Sequence, residues 1–261
     1  MGKLILQIYK NKVFISMVVL SILVITYYVQ IEQRLMKEVN QINYSDLNIV
    51  RNGDENQKII ALTFDDGPHP RFTPQILDLL KEYDAKGTFF VLGKHVKVYP
   101  EVVERIKIEG HEVGNHTYTH IDVTKSSYWK IKKEFEDTQN IIYSVTGSKP
   151  NIFRPPFGFI NNAALHIVQE GGSRIILWSP NQDPNDWRSP GIDSIVKHVL
   201  SNIENGNIIL LHDYIPEKNS HTVEALKRIL PELTKEGYRF VTINELIEIS
   251  NLELIKVIQS N

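Results

Sequence analysis

The chain has no cysteine among its 261 residues. That excludes disulfides, thiol nucleophiles and zinc–thiolate centres, and leaves imidazole and carboxylate as the available metal ligands. It also lacks a strong charge of either sign: 29 Lys and Arg stand against 31 Asp and Glu, a net charge of -2. No run of basic residues is long enough to follow a phosphate backbone, so no nucleic-acid partner is expected. Internal repeats and low-complexity tracts are absent as well. The length and the 42% hydrophobic content fit one globular domain with an appendage.

The appendage is at the N-terminus. Residues 13–31 carry no charge and are rich in Val, Ile and Leu. As a helix they extend about 28 Å, close to the thickness of a bilayer core. Lys3, Lys10 and Lys12 precede them, which favours a cytoplasmic N-terminus, although Arg34 and Lys37 follow closely. A cleaved signal peptide is the rival reading, but no small-x-small site follows, only Tyr27-Tyr28-Val29-Gln30. Leu6 stands where a myristoylation signal at Gly2 needs Ser or Thr. The expected organisation is a cytoplasmic tail at 1–12, an uncleaved transmembrane signal anchor at 13–31 and a charged, Asn-rich linker at 32–57. A domain at 58–250, on the extracytoplasmic side of the cell membrane, and a tail at 251–261 complete it.

From residue 58 onward, short apolar runs alternate with amphipathic stretches. Strands are expected at 59–64, 88–92, 112–114, 152–153, 174–178, 207–211 and 239–241, and helices at 73–83, 100–109, 129–146, 161–169, 192–203 and 222–236. In the last helix Leu226, Ile229, Leu230 and Leu233 repeat on one face. Thr242-Ile243-Asn244-Glu245 has the form of a capping box opening a final short helix. The alternation predicts an α/β fold of parallel strands with crossover helices, as a barrel or an open sheet.

Chemistry-bearing residues gather at the expected strand ends. Thr63-Phe64-Asp65-Asp66-Gly67-Pro68 follows the first strand, and Gly67 and Pro68 end it. Two adjacent carboxylates are costly unless a cation separates their roles, with one as a ligand and the other free as a base. Alone, the motif reads first as a solvated turn. Asn115-His116-Thr117-Tyr118-Thr119-His120 supplies two imidazoles four residues apart, and beside the Asp pair they point to a metal site with an open position. The other six histidines, His69, His95, His111, His166, His198 and His221, are read as surface or packing residues. Arg154-Pro155-Pro156-Phe157-Gly158 is a stiffened loop whose guanidinium can grip a carboxylate in bidentate fashion. Asp183-Pro184-Asn185-Asp186-Trp187 sets an acid beside an aromatic. Ile208-Ile209-Leu210-Leu211-His212-Asp213 is an apolar strand ending in His-Asp.

In this order the five stretches resemble the successive motifs of the carbohydrate esterase family 4 polysaccharide deacetylases, which share the NodB homology domain. The resemblance covers residues 58–248. It implies a distorted (β/α) barrel of seven or eight strands, preceded here by the single transmembrane helix. The activity it implies is metal-dependent removal of N-acetyl groups from a polysaccharide, on linear amides other than peptide bonds. Asp66, His116 and His120 would hold the metal, most often Zn2+, with Co2+ able to substitute. Asp65 would be the base, oriented by Arg154, and His212 the acid, tuned by Asp186. Trp187 and Leu210 would wall the acetyl pocket, and the backbone N–H of Phe157 would stabilise the oxyanion. Phe157 departs from the Tyr usual there, which removes a hydroxyl. An anchored enzyme facing outward meets the cell wall first, so the expected substrate is N-acetylglucosamine in peptidoglycan. A chitooligosaccharide deacetylase, an acetylxylan esterase and a non-catalytic glycan-binding envelope protein are the alternatives. No protein partner is expected.

Overall fold

A computed structural model describes residues 2–41, 49–215 and 219–260. Its two compact units are Met1–Asp46 and Leu47–Asn261.

The first unit is one helix, α1 (Gly2–Gln41). Its stretch Lys10–Val39 is long and apolar enough to cross a membrane. Phe14, Ile15, Leu20 and Leu23 are all exposed along it, an apolar surface on every side of the kind a lipid-facing helix presents. The helix runs past residue 31 into the segment expected as a linker, and residues 42–48 of that linker lie outside the described residues.

In the second unit the elements run β1 (Ile49–Val50), β2 (Ile59–Asp65), α2 (Phe72–Glu82), β3 (Gly87–Val91), α3 (Gly93–Val98), α4 (Pro100–Ile108) and β4 (Glu112–Asn115). Then come α5 (Tyr128–Thr146), β5 (Ile152–Phe153), α6 (Asn162–Glu170), β6 (Arg174–Ile176), α7 (Ile192–Ser201), β7 (Ile208–His212), α8 (His221–Lys235), β8 (Arg239–Phe240) and α9 (Ile243–Ser260). The strands pair in parallel in the order β1-β6-β5-β4-β3-β2-β7, with β8 joined to the start of β2. The sheet curls until its two edges meet through an antiparallel bridge between Asn52 and Asn207. This is the distorted (β/α) barrel.

Every residue of β2 is buried. Ile60, Leu62 and Phe64 pack outward with Phe89, Ile209 and Leu211 against the helices, where Ile76, Leu80, Leu226 and Ile229 meet them. Ile59 and Ala61 face the interior with Phe90, Ile152, Ile176 and Ile208. Burial on both faces explains the unbroken apolar run. Truncating one such residue, Leu62→Ala for example, costs about 2–5 kcal/mol. The period of two then turns Thr63 and Asp65 to the interior face.

Two expectations are corrected, and one further element was not expected. β1 lies within 32–57, so part of that segment is sheet and not linker. Two residues amid polar neighbours give no periodic signal. The six-residue α3 is likewise too short to show a period. The final helix is long and takes up most of the expected tail, running to Ser260. Its capping box forms as read: Thr242 N–H donates to Glu245 Oε2 at 2.8 Å, and Glu245 N–H donates to Thr242 Oγ1 at 3.3 Å.

Candidate active site

The parallel register of β2 and β7 pairs Thr63 with Leu210 and Asp65 with His212. Both pairs face the interior, since Phe64, Ile209 and Leu211 face the helices. Asp65 is buried and its Oδ1 accepts from Arg154 Nη1 at 2.7 Å. The same nitrogen donates to Thr63 Oγ1 at 2.8 Å, while Arg154 Nε and Nη2 donate to the carbonyls of Ile176 and Leu177, each at 3.3 Å. The guanidinium lies 4.1 Å from the Phe90 ring centroid. The grip on Asp65 is therefore single and not bidentate, because the backbone of β6 and its exit loop takes the rest of the fork. Arg154 is wholly buried; burial lowers its pKa and Asp65 opposes that shift.

The strand breaks at Asp66, whose backbone turns left-handed at φ 73°. Its Oδ1 is buried with no hydrogen-bond partner. That atom sits 3.5 Å from His116 Nε2 and 3.2 Å from His120 Nε2. Donors about 2.1 Å from a shared tetrahedral centre lie roughly 3.4 Å apart, so this spacing suits a zinc-sized ion. His116 Nδ1 meets the Arg154 carbonyl at 2.7 Å, which fixes the proton on that nitrogen and turns the Nε2 lone pair toward Asp66. Burial, then the charge of His116, lowers the pKa of His120 and favours its neutral, ligating form. Asp66, His116 and His120 thus present three convergent donors within 4.8 Å of one another. Asp65 Oδ2 is 3.7 Å from His116 Nε2.

The sequence profile described as polysaccharide deacetylase matches residues 52–176. A peptidoglycan-N-acetylglucosamine deacetylase of Bacillus cereus is 48% identical over 192 residues, 74% of this chain and 89% of the relative. The chain belongs to the polysaccharide deacetylase family. The peptidoglycan-N-acetylmuramic acid deacetylase PdaC of Bacillus subtilis is 41% identical over 196 residues, covering 75% of this chain and 40% of PdaC. A solved peptidoglycan N-acetylglucosamine deacetylase, in complex with 4-naphthalen-1-yl-N-oxidanyl-benzamide, matches with a TM-score of 0.73 at 37% identity. That match covers 76% of this chain and 92% of the other. Deacetylases of this family are metalloenzymes, and the donor set described above fits that property.

In this deacetylase Asp186, between β6 and α7, holds His212 at the end of β7 from behind. Its Oδ1 meets His212 Nδ1 at 2.8 Å, and its Oδ2 accepts from His212 N–H at 2.8 Å and from Thr222 Oγ1 at 2.6 Å. Burial disfavours the charged imidazolium, but the Asp186 charge and hydrogen bond outweigh it. With Asp65 and Asp66 adding, the His212 pKa is raised to about 9.

The expected wall residues are less uniformly placed. Leu210 is buried, between Thr63 across the register and His212 two residues on. Trp187 follows Asp186 and is 45% exposed, with the Arg188 guanidinium 4.4 Å from its ring centroid. Phe157 is left-handed at φ 61° and its ring stands edge-on to His120 at 4.7 Å. Gly158 and Phe159 donate to the Pro155 and Pro156 carbonyls, and the Phe157 N–H takes part in neither turn bond.

Several supporting residues carry no local signal in the sequence. His95, read as surface or packing, holds the Asp66 carbonyl with Nδ1 at 2.7 Å and stacks on Tyr214 at 4.1 Å. Asp213 donates its N–H to the Asp65 carbonyl at 3.3 Å and accepts from Thr73 Oγ1 at 2.5 Å. A Cβ on Gly67 would lie 2.2 Å from that carboxylate, so only glycine allows the approach. His111 does prove a packing residue: it is buried, accepts from Gly87 N–H at 3.1 Å, and burial helped by Lys86 lowers its pKa to about 4.

Proposed function

We propose that this deacetylase removes the N-acetyl group from N-acetylglucosamine residues of peptidoglycan, with Asp66, His116 and His120 holding Zn2+. The observation that carries the reading is the unlike environment of two adjacent aspartates. Asp65 is tied to Arg154, while Asp66 aims an unpartnered oxygen at two imidazoles.

A divalent ion held by those three residues supplies Lewis acidity, which polarises the amide carbonyl and acidifies water. The remaining work falls to the chain. Asp65 Oδ1 is committed to Arg154, so Oδ2 takes the proton of the attacking water. Arg154 fixes the rotamer of that carboxylate through the Nη1–Oδ1 bond. The Phe157 N–H donates to the oxygen that becomes negative as the carbonyl carbon turns tetrahedral. His212 gives its Nε2 proton to the amine nitrogen as the C–N bond breaks, and Asp186 steadies the imidazolium through Nδ1. Leu210 and Trp187 wall the space that takes the acetyl methyl.

The Bacillus cereus relative, similar over most of its own length, supports the glucosamine assignment. An uncleaved α1 would tether residues 58–250 to the outer face of the cell membrane, within reach of the wall, with residues 1–12 in the cytoplasm. The test is acetate release by the full chain in detergent micelles from peptidoglycan, chitin oligomers and acetylated xylan in parallel. Release from the glucosamine residues of peptidoglycan is expected. Release confined to muramic acid, or to xylan or chitin oligomers, overturns the substrate assignment.

A further inference from the structure

Four amide groups lie in sequence from His116 to His120, and a side-chain oxygen takes each of them. Thr117 N–H donates to Asn115 Oδ1 at 2.9 Å, and His120 N–H to Thr117 Oγ1 at 3.1 Å. Tyr118 and Thr119 N–H both donate to Glu134 Oε2, at 2.9 and 2.7 Å. The segment is neither helix nor strand, and Thr117 and His120 are left-handed at φ 70° and 65°. Such non-glycine conformations persist only where surrounding contacts over-determine them. Two of the acceptors belong to the loop or its edge. Glu134 does not: it projects from α5 and is 3% exposed.

Its other oxygen is equally committed. Glu134 Oε1 accepts from Thr119 Oγ1 at 2.8 Å and pairs with Lys130 Nζ at 2.7 Å. The next residue on α5 reinforces the same loop, because the Phe135 carbonyl accepts from Asn115 Nδ2 at 3.0 Å. One carboxylate, with its charge balanced by Lys130, therefore fixes the backbone midway between two imidazoles that must converge on a single point. An error in that stretch would splay the imidazoles, whose Nε2 atoms stand only 3.2 and 3.5 Å from Asp66 Oδ1.

We propose that Glu134 is a positioning residue for the metal site, setting the spacing of His116 and His120 and with it the affinity for the ion. The inference rests on the ligand set given under Proposed function. Glu134→Gln keeps the shape but turns one acceptor oxygen into a donor facing other donors. In the full chain, competition with a chromophoric chelator should show Zn2+ binding weakened about 10–100-fold. Hydrogen exchange at the amides of residues 118 and 119 should quicken. At saturating Zn2+, kcat should return toward the parent value with KM unchanged. Lys130→Met, which leaves both amide bonds in place, should bind Zn2+ as the parent does. Equal Zn2+ affinity in the parent and Glu134→Gln overturns the inference alone, whereas a parent that binds no Zn2+ overturns the ligand set and the inference together. If Glu134→Gln fails to fold, exchange in the zinc-free parent decides: slow exchange at 118 and 119 supports a clamp made by the protein, and fast exchange overturns it.

Discussion

Asp186→Asn should move the alkaline limit of the deacetylase toward neutral pH. In the parent, His212 is largely shielded from solvent, which alone would lower its pKa, yet contact with Asp186 raises it to about 9. Asparagine removes the charge, and its amide nitrogen must face either the imidazole or the N–H and hydroxyl that Asp186 now accepts. With the Asp186 charge gone and burial remaining, the His212 pKa should fall toward its ordinary 6.5, with Asp65 and Asp66 still opposing the fall. At pH 8 a His of pKa about 9 is roughly 90% protonated and one at the limit of 6.5 about 3%, so protonation alone accounts for a loss of up to ~30-fold. At pH 6 both forms are mostly protonated and that part of the loss nearly vanishes. A bound dication opposes protonation of His212 in parent and variant alike, so the difference between them survives. Stability follows the same sign. A folded pKa above the unfolded 6.5 contributes stability that is complete below pH 6.5 and is lost as pH rises through about 9. The contribution is on the order of 3 kcal/mol, and the variant lacks it. The assay is kcat/KM for acetate release against pH at saturating Zn2+, beside thermal denaturation at pH 6 and pH 9.5. An alkaline limb that stays in place in Asp186→Asn refutes the role given to the pair.

Asp65→Asn should still bind Zn2+ but lose about 10²–10⁴-fold in turnover at every metal concentration, as expected when a positioned base is removed; metal content beside acetate-release kinetics checks this. Asp66→Asn should first lose metal affinity, with activity partly restored by added Zn2+, and the reverse pattern would exchange the two roles. Chelation should abolish acetate release, and Zn2+ or Co2+ should restore it, because two imidazoles and a carboxylate suit both ions. His116→Ala and His120→Ala should lower bound metal and activity together, measured on the same samples. The full chain should stay with membranes through a high-salt wash, and a soluble product beginning near residue 30 would count against the anchor.

How much of this was legible depended on whether the signal was local. β2 and β7 are buried on both faces and announce themselves as apolar runs, so the strand ends carrying Asp65 and His212 could be read directly. The amphipathic face of α8 and the capping box at Thr242 are equally local. β1 was hidden because its identity comes from pairing with β6 and not from its own two residues. The single-sided grip of Arg154 was hidden because the carbonyls of Ile176 and Leu177 compete for its nitrogens, and that depends on where another strand lies. Glu134, His95 and Asp213 act through hydrogen bonds that span large sequence separations, and nothing beside them in the chain marks the target. The left-handed backbone at Asp66, Thr117 and His120 falls on non-glycine residues that adopt it only in a minority of settings, and the finished site enforces it.

With Asp65 as the proposed base, its buried ion pair with Arg154 would tie catalysis to folding. Arg154 has no exposed surface, and Asp65 is its one carboxylate partner among the described contacts. Breaking a buried pair from one side costs about 3–5 kcal/mol, because the remaining charge is left without compensation. A domain with a total stability of about 5–15 kcal/mol feels such a loss. A descendant that kept only glycan binding and discarded Asp65, the proposed base, would lose stability as well as turnover. Replacing Arg154 as well, or supplying a new anion, would restore the balance, so an offshoot that lost Asp65 is expected to carry a compensating change at or beside Arg154.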